Sequence, residues 1–306
     1  MQIYTITLNP AYDVHANADT FGAGCENLAA ITSREAGGKG VNISRALQSN
    51  CVPNTAVVVL GKDNCEEFKQ DLKTAKIDAI YLERPGRIRE NLTLHPADGP
   101  ETRISFSGFS VEESILQDVL NVMSVDAQTV VTFTGRVPAG FSIDKVKEFL
   151  LELKRRGARL VVDSKSLTAE DIFELRPWLI KPNREEITEY LGCPVETPAD
   201  AAKKAKIFAD KQVTNVMVSM GEQGAVLLND GKTYTAIPPK VQAISTVGAG
   251  DSTIAGFLAA IMMGETPSLC LKRAVSFGTA ACLTTGTLPP QKADVEAIYN
   301  RTEVLE

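Results

Sequence analysis

The segment Ser245-Thr246-Val247-Gly248-Ala249-Gly250-Asp251-Ser252-Thr253 sets small residues ahead of a helical pattern marked by Ile254, Phe257, Leu258 and Ile261. Small residues let backbone N–H groups approach an anion, and a helix start adds partial positive charge. Gly248, Ala249 and Gly250 therefore read as a phosphate cradle in a strand-loop-helix turn. Asp251 has two readings. It can cap the helix. Alternatively it can accept the proton of an attacking hydroxyl, and the anion site favours this, because a carboxylate beside a phosphate is costly unless it has work to do.

Other segments could complete such a site. Ala36-Gly37-Gly38-Lys39-Gly40-Val41-Asn42 is a second Gly-rich turn before a helical pattern, with Lys39 and Asn42 offering a cation and an amide to a phosphorylated or hydroxyl-rich ligand. Taken alone, such turns are commonly structural. Asp13 follows the first strand, where ligands of a parallel sheet collect, although on its own the safer reading is a turn Asp. Arg89 and Asn91 fall on a short alternating stretch and by default are solvated. In Lys181-Pro182-Asn183-Arg184-Glu185-Glu186, Pro182 ends a strand, Asn183 can cap a helix, and Glu186 falls at the capping-box position. The functional alternative is that Glu186 helps organise a hydrated Mg²⁺. Ser219-Met220-Gly221-Glu222-Gln223-Gly224-Ala225 is a strand-end turn whose glycines permit close backbone contact with a nucleotide, and by itself it is an ordinary hairpin.

Familiar nucleotide motifs are absent. The Gly-Lys pairs at 38–39, 61–62 and 231–232 have Ser33, Ala56 and Val226 where a P-loop needs its first glycine. Gly248-x-Gly250 is followed by Thr253 where the dinucleotide fingerprint needs glycine. His15 and His95 are the only histidines, which leaves little room for a Ser-His-Asp or Cys-His site; His95 reads as a surface strand residue. No C-x-x-C pair exists among Cys25, Cys51, Cys65, Cys193, Cys270 and Cys282, so reduced, mostly buried thiols are expected rather than zinc.

The elements that must position these residues follow from hydrophobic periodicity. Gln2–Leu8, Val57–Leu60, Val130–Phe133 and Leu160–Val162 read as core strands. Helical patterns lie at Asn42–Ser49, Glu66–Ala75, Val111–Val122, Ile143–Arg156, Ala199–Lys211, Ile254–Met263 and Leu269–Leu283. This alternation predicts an α/β fold with a parallel sheet and helices on both faces. Residues of about 13–32 and 88–106 break it, with strand-like stretches and a turn at Ala97–Pro100, and predict a small antiparallel sheet inserted into one 306-residue domain. The charge of −6, from 32 basic and 38 acidic residues, argues against a nucleic-acid partner, and no apolar run is long enough for a membrane span. The N-terminal MQIYTITLNP has none of the regions of a secretory signal, so a cytoplasmic protein is expected.

Taken in order, Gly37–Asn42, Asn183–Glu186, Ser219–Ala225 and Thr246–Asp251 resemble the ribokinase-like (PfkB) family of carbohydrate kinases. Thr7–Asp13, Gly61–Asn64, Phe106–Phe109 and Ser245–Ser252 are most similar to its bacterial 1-phosphofructokinase members, with tagatose-6-phosphate kinases next. The resemblance implies a ribokinase-like, mainly parallel central sheet flanked by helices, and a β-lid from the inserted strands that closes over the sugar and serves as a homodimer contact. It implies ATP as donor, held by Lys181, Asn183, Ser219, Gly221, Gly224, Thr246, Gly248 and Gly250. Asp251 becomes the general base, the amides of Ala249, Gly250 and Asp251 the anion hole, and Asn183 with Glu186 the Mg²⁺ site, through water. Asp13, Gly38, Asn42, Asn91 and Thr134 would hold the sugar, with Lys39 and Arg89 on the phosphate it already carries. Lys39 is informative, since the family's 6-phosphofructokinases tend to have glycine there.

The chain departs from the family pattern in two places. Thr134-Gly135-Arg136-Val137-Pro138 replaces Ser-Gly-Ser-Leu-Pro, so Thr134 must supply the contact of the first serine; Asp163-Ser164-Lys165-Ser166 replaces an Asp-Ser-Ser or Asp-Thr-Ser-Gly segment. The expected reaction is ATP-dependent phosphorylation of a phosphorylated ketohexose, namely fructose 1-phosphate at its C6 hydroxyl. Tagatose 6-phosphate, fructose 6-phosphate, a nucleoside or a simple sugar are alternative acceptors. A non-catalytic sugar-phosphate sensor is the alternative of another class, against which the intact Gly248–Asp251 segment speaks.

Overall fold

The computed structural model describes residues 1–306. Its main sheet joins β1 (Gln2–Thr7), β4 (Thr55–Gly61), β5 (Asp78–Arg84), β8 (Thr129–Thr134), β9 (Arg159–Asp163), β10 (Leu179–Ile180), β11 (Asn215–Ser219), β12 (Ala225–Asn229), β13 (Lys232–Ile237) and β14 (Glu303–Leu305). The order is β14-β13-β12-β11-β10-β9-β8-β1-β4-β5. The strands from β5 to β11 pair in parallel, and β12, β13 and β14 continue antiparallel. A separate four-stranded sheet, order β3-β2-β6-β7, combines β2 (Ala11–Ala18), β3 (Ala30–Gly37), β6 (Arg89–Pro96) and β7 (Thr102–Ser105).

Consecutive strand residues point to opposite faces, and the buried clusters divide along that alternation. Tyr4, Val131 and Val162 pack on one face with α3 (Ile115–Val122), α4 (Ile143–Arg155), α5 (Ala169–Leu175), α6 (Arg184–Leu191) and α7 (Pro198–Asp210). Their neighbours Ile3, Val130 and Val161 pack on the other with α1 (Lys39–Ser49), α8 (Ala249–Met262), α9 (Pro267–Ala281) and α10 (Lys292–Tyr299). A third cluster ties the root of the small sheet, through Tyr12, Val14 and Ala36, to Phe68 and Leu72 of α2 (Cys65–Thr74). No helix is long and apolar enough to cross a membrane.

The predicted mainly parallel α/β architecture is present, with differences that have local causes. The strands of the small sheet reach from 11 to 37, beyond the expected 13–32, and β7 stops at Ser105. That sheet is mixed, because β2 and β6 come from separate hairpins laid side by side in the same direction. Helix α8 begins at Ala249, five residues before its first apolar marker, since its opening turn is built of small and polar residues that give no hydrophobic period. No strand leads into it: Pro238 and Pro239, which lack an N–H to donate, end β13, and 238–248 form a loop. Helix α5 went unpredicted despite its Thr168–Asp171 capping box. All six cysteines are free, but Cys25, Cys51 and Cys193 are exposed, so the expectation of mostly buried thiols fails; Cys51 and Cys193 lie in the turns that follow α1 and α6.

Close approaches to β1 set the position of α1. Val41 N–H donates to Thr7 Oγ1 at 3.1 Å, and Thr5 and Ser44 hydroxyls meet at 2.7 Å, which seats α1 on β1. At Gly40 a Cβ would lie 2.5 Å from both Ile6 O and Thr7 Oγ1. Alanine inside a helix ordinarily gains up to about 1 kcal/mol over glycine. Here overpacking against backbone outweighs that gain, so Gly40→Ala should destabilise by about 1–3 kcal/mol. A urea melt with an unchanged or higher midpoint would refute this packing.

Candidate active site

One cleft of about 1280 Å³ runs between the small sheet and the C-terminal ends of the parallel strands. Every residue singled out from the sequence lines it: Asp13, Gly38, Lys39, Asn42, Arg89, Asn91, Thr134, Lys181, Asn183, Glu186, Ser219, Gly221, Gly224, Thr246, Gly248, Ala249, Gly250 and Asp251. These come from chain segments more than 200 residues apart, and the strand ends gather them.

At the centre, Gly248 takes a left-handed conformation (φ 76°) and starts α8, so Asp251 stands in the first helical turn, buried. The first amides of a helix have no intrahelical acceptor, and here they border the cleft. Burial pushes the Asp251 carboxyl up to about 6, against the opposing pull of Lys39 and of the hydrogen bond from Asn42. That bond, Asn42 Nδ2 to Asp251 Oδ2, is 2.9 Å long and joins α1 to α8. The other amide atom, Asn42 Oδ1, is buried without a partner and free to accept from a hydroxyl.

Asp163, at the end of β9, is the counter-charge beneath the cleft. Lys39 Nζ donates to Asp163 Oδ2 at 2.8 Å, and Lys181 Nζ lies 3.9 Å from Oδ1. Burial of Asp163 opposes its ionisation, but Lys181 and Lys39 outweigh this and hold its carboxyl below the usual range. Burial likewise opposes the charge of Lys39, yet Asp163 and Asp251 raise its affinity for the proton overall. A Cβ on Gly250 would sit 3.2 Å from Lys181 Nζ, which places that ammonium at the α8 N-terminus. From the sequence Asp163 had no role, standing only as the first residue of the 163–166 segment, which departs from the family pattern further on; its position at a strand end was the available signal.

On the small sheet, Asp13 Oδ1 accepts from Asn91 Nδ2 at 2.9 Å, and burial raises the Asp13 carboxyl. Arg89 donates to Asn91 Oδ1 and Phe106 O, both at 3.2 Å, while its Nε is buried and unpartnered. Burial lowers the Arg89 pKa, opposed by Asp13 and reinforced by the nearby charge of Arg136. Arg103 and Ser105 join this end of the cleft, and neither was singled out from the sequence. Thr134 Oγ1 is also buried without a partner. Arg45 and Asp71 brace the root of the sheet: Asp71 Oδ2 accepts from Ala36 N–H at 2.6 Å and from Arg45 Nη2 at 2.7 Å.

At the opposite end, Ser219 N–H donates to Pro182 O at 3.0 Å, which ties the 219–224 turn to the start of α6. Val241, Ala243, Val275 and Cys282, also missed from sequence, give this end an apolar wall. Asn183 and Glu186 form the expected capping box, with bonds of 2.8 and 3.0 Å. Glu186 Oε1 stays outside it, 3.7 Å from Lys165, which lines the cleft while half exposed. No three His, Cys, Asp or Glu side chains converge into a metal cage. A single acidic oxygen beside an amide suits a hydrated Mg²⁺, which keeps most of its waters.

The family model of the pfkB family carbohydrate kinases matches residues 5–294. The chain is 32% identical to the 1-phosphofructokinase of Vibrio cholerae over 257 residues, 83% of this chain and 81% of that protein. It is 31% identical to the 1-phosphofructokinase of Escherichia coli over 284 residues, 92% and 90% of the two chains. Among solved structures, phosphofructokinase-2 of Escherichia coli in complex with substrates and products superposes with a TM-score of 0.91 at 25% identity, covering 98% and 99%.

The raised pKa of Asp251 has a stability consequence. The folded state binds its proton more tightly than the unfolded chain does, so this group's contribution is fully present below about 3.8. It is lost as pH rises through about 6. The N-cap of α8 is Gly248 and no side chain caps the helix, so the capping role open to Asp251 in the sequence is not the one it has, and Asp251→Asn removes the buried charge without removing a cap. The variant should therefore be more stable than wild type at pH 7–8, by roughly 1–3 kcal/mol, with the difference vanishing near pH 4. Thermal melts across that range check it; a variant less stable at pH 8 refutes it.

Proposed function

The chain belongs to the pfkB family of carbohydrate kinases and is a sugar-phosphate kinase; we propose that its acceptor is fructose 1-phosphate, phosphorylated at the C6 hydroxyl to give fructose 1,6-bisphosphate. Membership of the family implies ATP as donor. The observation that carries the catalytic assignment is the buried Asp251 carboxylate in the first turn of α8, bonded to Asn42. With its pKa near 6 it is ionised at neutral pH yet basic enough to take a proton. The hydroxyl oxygen attacks the γ-phosphorus of ATP as its proton passes to an Asp251 oxygen, while the bond from that phosphorus to the bridging oxygen breaks and ADP leaves. The amides of Ala249, Gly250 and Asp251 meet the charge on the transferring phosphoryl, and Lys181 adds a cation beside them.

Positioning falls to the rest of the cleft. Asp13, Asn91, Gly38, Asn42 and Thr134 hold the sugar, two of them with buried atoms that lack a protein partner. Lys39 and Arg89 take the phosphate already present, with Arg103 and Arg136 close by. Lys181, Asn183, Ser219, Gly221, Gly224, Thr246, Gly248 and Gly250 serve ATP. Asn183 and Glu186 would hold Mg²⁺ through water, where the ion supplies charge neutralisation for the phosphates. ATP as donor and six free thiols fit a cytoplasmic setting.

Five large apolar side chains on or beside the small sheet are exposed: Leu28 (84%), Ile31 (68%), Phe106 (54%), Phe21 and Ile104. A patch of this kind favours coverage by a second copy, so we read the sheet as a lid that is also a homodimer contact. The pair Leu28→Asp and Ile31→Asp should shift sedimentation from dimer to monomer; a monomeric wild type would remove the assignment.

The acceptor is tested by coupled ADP release with fructose 1-phosphate, tagatose 6-phosphate and fructose 6-phosphate at equal concentrations. kcat/KM should be highest for fructose 1-phosphate, should fall as pH drops through about 6, and should drop at least about 10²-fold in Asp251→Asn. Preference for a 6-phosphate sugar overturns the acceptor, and turnover of Asp251→Asn within about tenfold of wild type overturns the base.

A further inference from the structure

His15 and His95 have no part in the transfer described above, yet they are not idle surface residues. His15 is 6% exposed on β2, two positions along from Asp13 and on the same face. Its Nδ1 lies 3.1 Å from His95 Nε2 on β6, and His95 Nδ1 lies 3.7 Å from Glu101. The opposite edge of the His15 ring stands over Gly286, where a Cβ would come 2.5 Å from Nε2. Gly286 and Thr287 are buried in the loop after α9. On its other side Thr287 borders the cleft, and its Cα is 3.9 Å from the place a Cβ of Gly248 would occupy. The 286–287 backbone thus lies between the lid and Gly248, the N-cap residue that immediately precedes the anion hole.

From this geometry we infer that His15 is a positioning residue that couples the lid to the anion hole, its ring seating the Gly286–Thr287 segment against Gly248. The role presupposes the sugar-phosphate kinase activity above and does not depend on which sugar phosphate is preferred. Asp13, which faces the acceptor, and His15, which faces the loop, share one strand. Where the lid sits therefore decides where the segment behind Gly248 sits. The ring is held upright by a single N–H···N bond to His95, which needs one unprotonated nitrogen between the two rings.

The coupling also depends on pH. The titratable and charged groups around His15 are Asp13 on its own strand, His95 on β6, Glu101 in the turn after it and Arg103 on β7; 284–288 is Thr-Thr-Gly-Thr-Leu and contributes none. Burial, and then the charge of His95, lower the pKa of His15 against the pull of Asp13 and Glu101. The pair is therefore intact at neutral pH. With a proton on both facing nitrogens, the state that acid favours, the shared bond is lost.

The variants His15→Gln, which does not titrate, and Gly286→Ala, which places a methyl where the ring stands, test this from both sides. With fructose 1-phosphate and ATP at pH 7.5, each should lower kcat roughly tenfold while leaving KM for ATP within about twofold, as expected when reacting groups are misplaced. The acid limb of log(kcat/KM) should be steeper than one in wild type and return to a slope of one in His15→Gln. Amide exchange at residues 284–288, measured on the unliganded protein, should be at least about threefold faster in His15→Gln at equal global stability. An unchanged kcat with an unchanged acid slope overturns the role. A kcat loss that only tracks the unfolded fraction, with exchange at 284–288 unaltered, overturns it too. A wild-type protein that turns over none of the three sugar phosphates instead overturns the kinase reading, and the exchange measurement still decides whether the ring seats the loop.

Discussion

A carboxylate can be a base in a dry crevice only if something other than water compensates its charge. Asp251 is compensated by three groups: the amide of Asn42 at 2.9 Å, the partial positive charge of the α8 N-terminus, and the ammonium of Lys39. Lys39 is in turn anchored by Asp163, which also faces Lys181. Two anions, two cations and the Asn42 amide thus share the floor of the cleft, and the shortest bonds among these five groups cross from α1 to α8 and from α1 to β9. Remove the anchor and the cations lose their places; remove the cations and two buried carboxylates repel each other.

That network dictates how tightly the surrounding elements must be set. Lys39 and Asn42 reach their partners because α1 lies directly on β1, a fit that Gly40 alone permits. The far side of α8 is fixed in the same way: a Cβ on Gly256 would collide with Arg273 O and Phe277, and one on Gly278 with Thr253 Oγ1, so α8 and α9 pack backbone to backbone. Rigid seating of this kind keeps the reacting groups in place without water to reorganise, which is the physical content of electrostatic preorganisation.

The two ends of the cleft differ in chemistry because they are built from different layers. The small sheet is edge-rich and stands outside the main core, so it can carry Arg89, Arg103 and Asp13 without desolvating them fully. Its attachment is narrow: one apolar cluster, and the Arg45–Asp71 pair that satisfies the outward N–H of Ala36 on the edge strand β3. The other end sits against α9 and the proline-bounded loop 238–247, and presents apolar side chains beside the glycines of the 219–224 turn. One end therefore presents cations and hydrogen-bonding side chains, and the other an apolar wall beside backbone turns.

Much of this was legible in the residues themselves. Strand and helix periodicity located the sheet, and Gly-rich turns before helices marked 36–42 and 246–251, because these signals are local and depend only on backbone sterics and side-chain period. Asn183 and Glu186 announced their capping box for the same reason, and the structure shows it. What the sequence could not supply were relations between distant segments. That Asp163 anchors Lys39, that Arg103 turns into the cleft, and that His95 meets His15 while His15 covers Gly286 all follow from how separate strands and loops stack. Charge compensation and close contact act through space over a few ångströms, so only the tertiary structure decides which residues share a charge, a proton or a surface.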